Sequence, residues 1–89
     1  MISLVVPLFN EEESLNAFYD ELVKEMQKLD KDYEIIFIDD GSTDGSLGIL
    51  REIEKKDRNI GIYSFRKNIG KAEALTFGFQ KAEGDYIIT

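Results

Sequence analysis

The stretch YEIIFIDDGSTDGS, Tyr33 to Ser46, sets the fold. Ile35 to Ile38 form an unbroken apolar run of strand length, with no polar face to offer to solvent. Such a run fits a parallel strand covered on both sides. It ends in two adjacent carboxylates, Asp39 and Asp40, and then in Gly41 and a series of small polar residues. A turn followed by a helix cap has that composition, with Gly41 at the bend and Ser42, Thr43 or Asp44 as the N-cap.

Outward from this segment the apolar period switches repeatedly between strand and helix. On the N-terminal side, ISLVVP (2–7) is a β-rich run ending at Pro7, which cannot donate to a ladder. After it, Leu15, Phe18, Tyr19, Leu22, Met26 and Leu29 recur at spacings of three and four, the stripe of an amphipathic helix, and Asn10 with Glu13 is spaced as a capping pair. On the C-terminal side, Leu47, Leu50 and Ile53 mark a second helix and NIGIYSF a third strand. Ala72, Leu75, Phe79 and Ala82 then mark a third helix, and GDYIIT a fourth strand. The order β-α-β-α-β-α-β predicts an α/β, Rossmann-like parallel sheet with right-handed crossovers. The chain stops at Thr89 with no helix after the last strand, so residues 1–89 read as part of a larger domain with one open, partly uncovered edge.

Composition narrows the chemistry. A formal net charge of −7 argues against a broad nucleic-acid footprint. With neither cysteine nor histidine, disulfides, zinc fingers and histidine-based catalysis are excluded from these residues. No apolar run approaches membrane-span length and no cleavable leader is visible, so the segment reads as cytosolic.

Ligands of open parallel sheets bind outside the carboxyl ends of the strands, where strand order reverses. Three polar segments reach that edge: PLFNEE, DDGSTDGS and RKNIGK. Because successive strand side chains point to opposite faces, Asp39 and Asp40 should diverge rather than share a proton. One would face the crevice and the other brace the loop or the next helix. Arg66, Lys67 and Lys71 lie near the start of the third helix, where cations oppose the macrodipole. Three readings stand for them: neutralisation of Asp39, Asp40 and Asp44, a hold on an anion such as a diphosphate, for which Lys71 after Gly70 is the better candidate, or a merely solvated basic turn at Arg66 and Lys67. Phe9 either stacks on a planar base or staples the first helix, and Glu11 either accepts from a ribose or base edge or serves the helix dipole. No Gly-x-Gly-x-x-Gly follows the first strand, and Gly70-Lys71 lacks the rest of a phosphate loop. An acidic cluster at strand ends also occurs in signalling receiver domains, but the third strand supplies no phosphoacceptor aspartate. A non-catalytic nucleotide-binding module is the remaining alternative.

Taken together, VVPLFNEEESL, YEIIFIDDGSTDGS, RKNIGKAEAL and GDYIIT, in this order and spacing, resemble the N-terminal half of a family-2 glycosyltransferase over essentially all 89 residues. The set is most similar to the branch that moves a sugar from a nucleotide onto a dolichyl or undecaprenyl phosphate. This resemblance implies the GT-A fold, with the N-terminal half holding the nucleotide of a UDP- or GDP-sugar. Pro7, Phe9 and Glu11 would line the base and ribose site, one of Asp39 and Asp40 would bond the base, and Lys71 would lie near the nucleotide. Phe9 stands where the family commonly has tyrosine, which keeps the stacking and loses a hydroxyl. The resemblance further implies inverting hexosyl transfer assisted by Mg or Mn, with the Asp-x-Asp metal motif and the catalytic base beyond Thr89. On that reading the chain carries no catalytic or metal-binding residue and is inactive by itself. The whole protein would work in the cytoplasm or at the cytoplasmic face of a membrane holding a lipid acceptor.

Overall fold

Strands with no polar face need cover on both sides, and the chain supplies it by sending helices to opposite faces of one sheet. The computed structural model describes residues 1–89, with β1 (Ile2–Leu8), α1 (Leu15–Lys28), β2 (Tyr33–Asp39), α2 (Ser46–Lys56), β3 (Ile60–Ser64), α3 (Lys71–Lys81) and β4 (Tyr86–Ile88). All strands are parallel and run in the order β3-β2-β1-β4. From β1 to β3 the chain winds in one direction. It then returns past β1 to β4, and a right-handed return puts α3 on the face opposite α1 and α2.

Strand parity divides the core accordingly. Leu4, Val6 and Leu8 of β1 and Ile35 and Phe37 of β2 pack under Leu15 and Met26 of α1 and Leu50 and Ile53 of α2. Val5, Ile36 and Ile38 point the other way, against Ala74 of α3. Pro7 does not end β1, which continues to Leu8 with Pro7 opposite Ile38. The Leu8 carbonyl accepts from the Asp40 amide, so the backbone of Pro7 turns to the other side of β1. There β4 pairs no further than Leu4, and the missing N–H leaves no gap in the ladder.

In α2 the predicted inward residues Leu50 and Ile53 are buried, with Leu47 partly so. The face predicted for α3 is right in part: Leu75 and Ala82 are half-buried and pack against this second cluster, whereas Phe79 and Ala72 are exposed and the fully buried positions are Ala74 and Gly78. Small residues four apart let the helix axis approach β1 closely. A Cβ on Gly78 would overlap Val5 Cγ1 and stand 3.4 Å from Ile38 Cγ1. β4 is an edge strand, and Tyr86, Ile87 and Ile88 are all exposed.

One polar tie joins the two helices that share a face. Tyr19 of α1 donates its hydroxyl to Asp57 Oδ2 at the end of α2, and Asp57 Oδ1 accepts from the Asn59 amide at 2.9 Å. Burial, then the neighbouring Asp57 carboxylate, raises the Tyr19 pKa well above the usual tyrosine value. A raised folded-state pKa means that this contribution is complete below about pH 10 and is lost as pH rises beyond it. Tyr19→Phe is expected to lower stability by about 1 to 2 kcal/mol. A fall in the urea midpoint at unchanged slope checks this.

Candidate functional site

Asp39 and Asp40 leave β2 on opposite faces, as pleat geometry requires. Both are buried and both are occupied. Asp39 Oδ2 accepts from Ser64 Oγ at 3.0 Å and Oδ1 from the Ser42 amide at 3.2 Å, which fixes the end of β3 and the turn after β2. Asp40 Oδ1 accepts from the Ile69 amide at 2.8 Å and Oδ2 from the Gly70 amide at 3.0 Å. That pair of bonds anchors the start of α3 with a negative charge at the favourable end of its dipole. The expected division, one carboxylate on the crevice and one on a loop, is therefore modified: both brace loops, and Asp40 also borders the crevice. Gly41, at φ 76°, lies beneath the 65–70 loop, where any Cβ would collide with the backbone of Lys67 and Asn68.

Asn10 does not cap α1. The helix begins at Leu15 with Ser14 at its N-cap, because residues 10 to 12 are bonded instead to the loop after β2. Asn10 Oδ1 accepts from the amides of Thr43 (2.8 Å) and Asp44 (3.3 Å), Asn10 Nδ2 donates to Thr43 Oγ1, and the Asn10 amide donates to Ser42 Oγ. Next to it the Glu11 amide donates to buried Ser46 Oγ at 2.9 Å, the Glu12 amide to Asp44 Oδ2, and the Gly45 amide to Glu12 Oε2. Gly45, rather than Ser42, Thr43 or Asp44, holds the N-cap position of α2, and Asp44 Oδ1 accepts from the Ser46 amide.

Desolvation acts to raise the Asp44 pKa, but hydrogen bonds from Ser46 and the Glu12 amide outweigh it and hold the carboxyl below the usual range. With the folded pKa depressed, the contribution is present above about pH 4 and is lost as pH falls through the folded value. Protection of the Glu12 and Ser46 amides, measured against their intrinsic exchange rates at each pH, is therefore expected to fall on acidification below about pH 4. In Asp44→Asn that acid-dependent step should be missing.

Between these loops and α1 opens a cavity of about 580 Å³, at the carboxyl end of β1. It lies where strand order reverses, the position expected for a ligand. Pro7, Phe9, Glu11, Asp40 and Lys71 all line it, so five of the six residues singled out in the sequence converge there; Asp39 does not. Phe9 is 41% exposed and is not a buried staple. Phe18, counted in the sequence as core, is equally exposed and forms part of the same wall, and Asn68 also contributes. Helical spacing gave Phe18 no separate signal. Neutralisation of the aspartates by Arg66, Lys67 or Lys71 does not occur. The side-chain ion pairs are Lys28–Glu25, Arg51–Glu54 and Lys55–Glu52, all within helices away from the cavity. Lys71 reaches the cavity without an acidic partner. Nor do these residues fit a metal: no three acidic side chains converge, and both carboxylates of the pair already accept from protein donors.

Comparison with known proteins agrees with this architecture. A bactoprenol glucosyl transferase of Shigella phage SfV is 46% identical over 89 residues, covering 98% of this chain and 28% of its own length. An undecaprenyl-phosphate 4-deoxy-4-formamido-L-arabinose transferase of Proteus mirabilis (strain HI4320) is 37% identical, covering 99% of this chain and 27% of its own length. The chain thus spans about a quarter of the length of these curated relatives. Among solved structures, S. aureus TarS 1-349 superposes with a TM-score of 0.76 at 27% identity, over 97% of this chain and 25% of that one. The mannosyltransferase PcManGT from Pyrobaculum calidifontis, solved in complex with GDP-Man and Mn2+, gives 0.71 at 24% identity over the same shares, a likeness of fold. The model of the family described as "Glycosyl transferase family 2" matches residues 3–89, and the chain belongs to that family.

Proposed function

We propose that this chain is the donor-nucleotide-binding part of a glycosyltransferase that moves a sugar from a nucleotide-sugar onto a polyprenyl phosphate. The observation that carries the proposal is one cavity combining two exposed aromatic rings, two carboxylates and an unpaired lysine at the reversal of strand order. Both curated relatives described above are named for transfer to, or as transferases of, such a lipid carrier. A receiver-type module is not favoured, since β3 ends at Ser64 and the family match covers nearly the whole chain.

Each lining residue has a task suited to its chemistry. Phe9, with Phe18 beside it in the cavity wall, offers a flat apolar surface for stacking on the base, and Pro7 gives that wall a fixed shape. Asp40 keeps a free lone pair on each oxygen after binding Ile69 and Gly70, enough to accept from a base N–H. Glu11 accepts from a ribose hydroxyl. Lys71, with no ion pair of its own, supplies positive charge to the diphosphate. The Mg or Mn implied by the family has no ligand set among these residues, and none of these tasks runs through it. No helix of the chain is long and apolar enough to cross a membrane; a lipid-phosphate acceptor would bring the reaction to a membrane surface.

Melting of the protein expressed from the full reading frame, with UDP or GDP and with or without Mn, tests the reading. A ligand selective for the folded state at 100 times its Kd adds about 2.7 kcal/mol. One nucleoside diphosphate is expected to raise the Tm; no shift with either at millimolar concentration would refute the proposal.

A further inference from the structure

Phe9 and Glu11 line the cavity although neither is fixed by the core; both are exposed residues on the loop after β1. Between them stands Asn10, whose φ of 52° lies in the left-handed region that L-residues other than asparagine and aspartate rarely enter. Its side chain does not line the cavity. It reaches across to residues more than thirty positions later, where Oδ1 accepts two backbone amides and Nδ2 meets Thr43 Oγ1, while its own amide is held by Ser42 Oγ. The adjoining Glu11 amide is held in turn by Ser46, a serine with no exposed surface. That second loop is rigidly based: Asp39 holds the Ser42 amide, and Gly41 is pressed beneath the 65–70 loop. A path of hydrogen bonds therefore runs from the buried end of β2 to Asn10, whose covalent neighbours Phe9 and Glu11 stand at the cavity mouth.

We propose that Asn10 is a positioning residue: its clasp on the loop after β2 holds Phe9 and Glu11 in place for a nucleoside diphosphate, and losing the clasp weakens binding without unfolding the protein. This inference rests on the nucleotide reading above. Preorganisation contributes to affinity by ordering a binding loop before the ligand arrives. Asn10 is also placed to do so without touching the ligand.

The test is calorimetric titration of the full-reading-frame protein with UDP and GDP in the presence of Mn. Asn10→Gly relieves the left-handed backbone and deletes the clasp. It should bind about tenfold more weakly while still melting cooperatively. Asn10→Asp keeps the double acceptor and, at an ionic strength that screens its charge, should recover most of the affinity. Ser46→Ala releases the Glu11 amide and should weaken binding in the same direction, which covers the case in which Asn10→Gly does not fold. Tyr19→Phe is the stability control, since neither Tyr19 nor its partner Asp57 lines the cavity; its Tm should fall with Kd unchanged. Wild-type affinity in Asn10→Gly, or a loss of affinity in Tyr19→Phe in proportion to its Tm, overturns the positioning role while leaving the nucleotide reading intact. Failure of the wild-type protein to bind either nucleotide overturns the nucleotide reading, and this inference with it.

Discussion

Gly78→Val is expected to remove a large part of the domain's stability and lower its Tm steeply. A Cβ at this position already overlaps Val5 Cγ1, and valine adds two methyl groups to the same space. Neither partner can retreat easily. Val5 is fully buried in a strand paired with β2 along its whole length and with β4 as far as Leu4, and the start of α3 is tied to β2 through Asp40. Overpacking of this kind costs about 1 to 3 kcal/mol or more, and the few tenths of a kcal/mol by which valine exceeds glycine in helix propensity offset little of it. Against a total stability of about 4 to 13 kcal/mol for a domain this size, that is a large fraction. Gly78→Ala carries a smaller overlap, partly offset by the roughly 1 kcal/mol by which alanine exceeds glycine in helix propensity. Adding Val5→Ala opens room for that methyl. The double variant should therefore be more stable than the two singles predict, by about 1 kcal/mol in a double-mutant cycle. Thermal melts followed by circular dichroism decide the matter: an unchanged Tm for Gly78→Val would mean that α3 does not sit this close to β1.

The same helix shows where sequence reading succeeds and where it fails. The alternation of elements is legible because each strand is a short apolar run bounded by polar turns, and because no proline interrupts a helix. Apolar spacing finds Leu75 and Ala82 on the inward face of α3 but misses the closest contact. The contact is made by Ala74 and Gly78, whose value lies in having little or no side chain, while Phe79 faces solvent. Asn10 fails as a local cap for a related reason. Its spacing to Glu13 is right, but the Thr43 and Asp44 amides, distant in sequence and near in space, take its side chain instead. At the cavity, the strand-end position of Pro7, Phe9, Glu11 and Asp40 and the helix-start position of Lys71 are enough to bring them together. Phe18 escapes because a helical aromatic spaced three from Leu15 looks like core whether it is buried or lines an opening.

Asp39→Asn and Asp40→Asn are expected to have unequal effects, and the reason lies in the donors each carboxylate meets. Asp39 faces one amide and one hydroxyl. The hydroxyl of Ser64 can turn to accept, so the side-chain amide introduced by Asp39→Asn can keep its oxygen on the Ser42 amide and donate its NH2 to Ser64. That substitution should cost about 1 kcal/mol or less. Asp40 faces two backbone amides, of Ile69 and Gly70, which can only donate. An asparagine there satisfies one and presents its NH2 to the other in a site 4% exposed, leaving a buried donor unpaired at about 1 to 3 kcal/mol. Release of that bond also frees the start of α3, and with it Lys71, while removing the one acidic group of the pair that borders the cavity. On the proposed function, Asp40→Asn should weaken nucleoside-diphosphate binding about a hundredfold, equivalent to about 2.7 kcal/mol, whereas Asp39→Asn should change it by no more than a few fold. Calorimetric titration beside chemical denaturation separates the two quantities. Equal loss of affinity in both variants with the fold intact would show that the two carboxylates act as one unit, contrary to their divergence across the sheet.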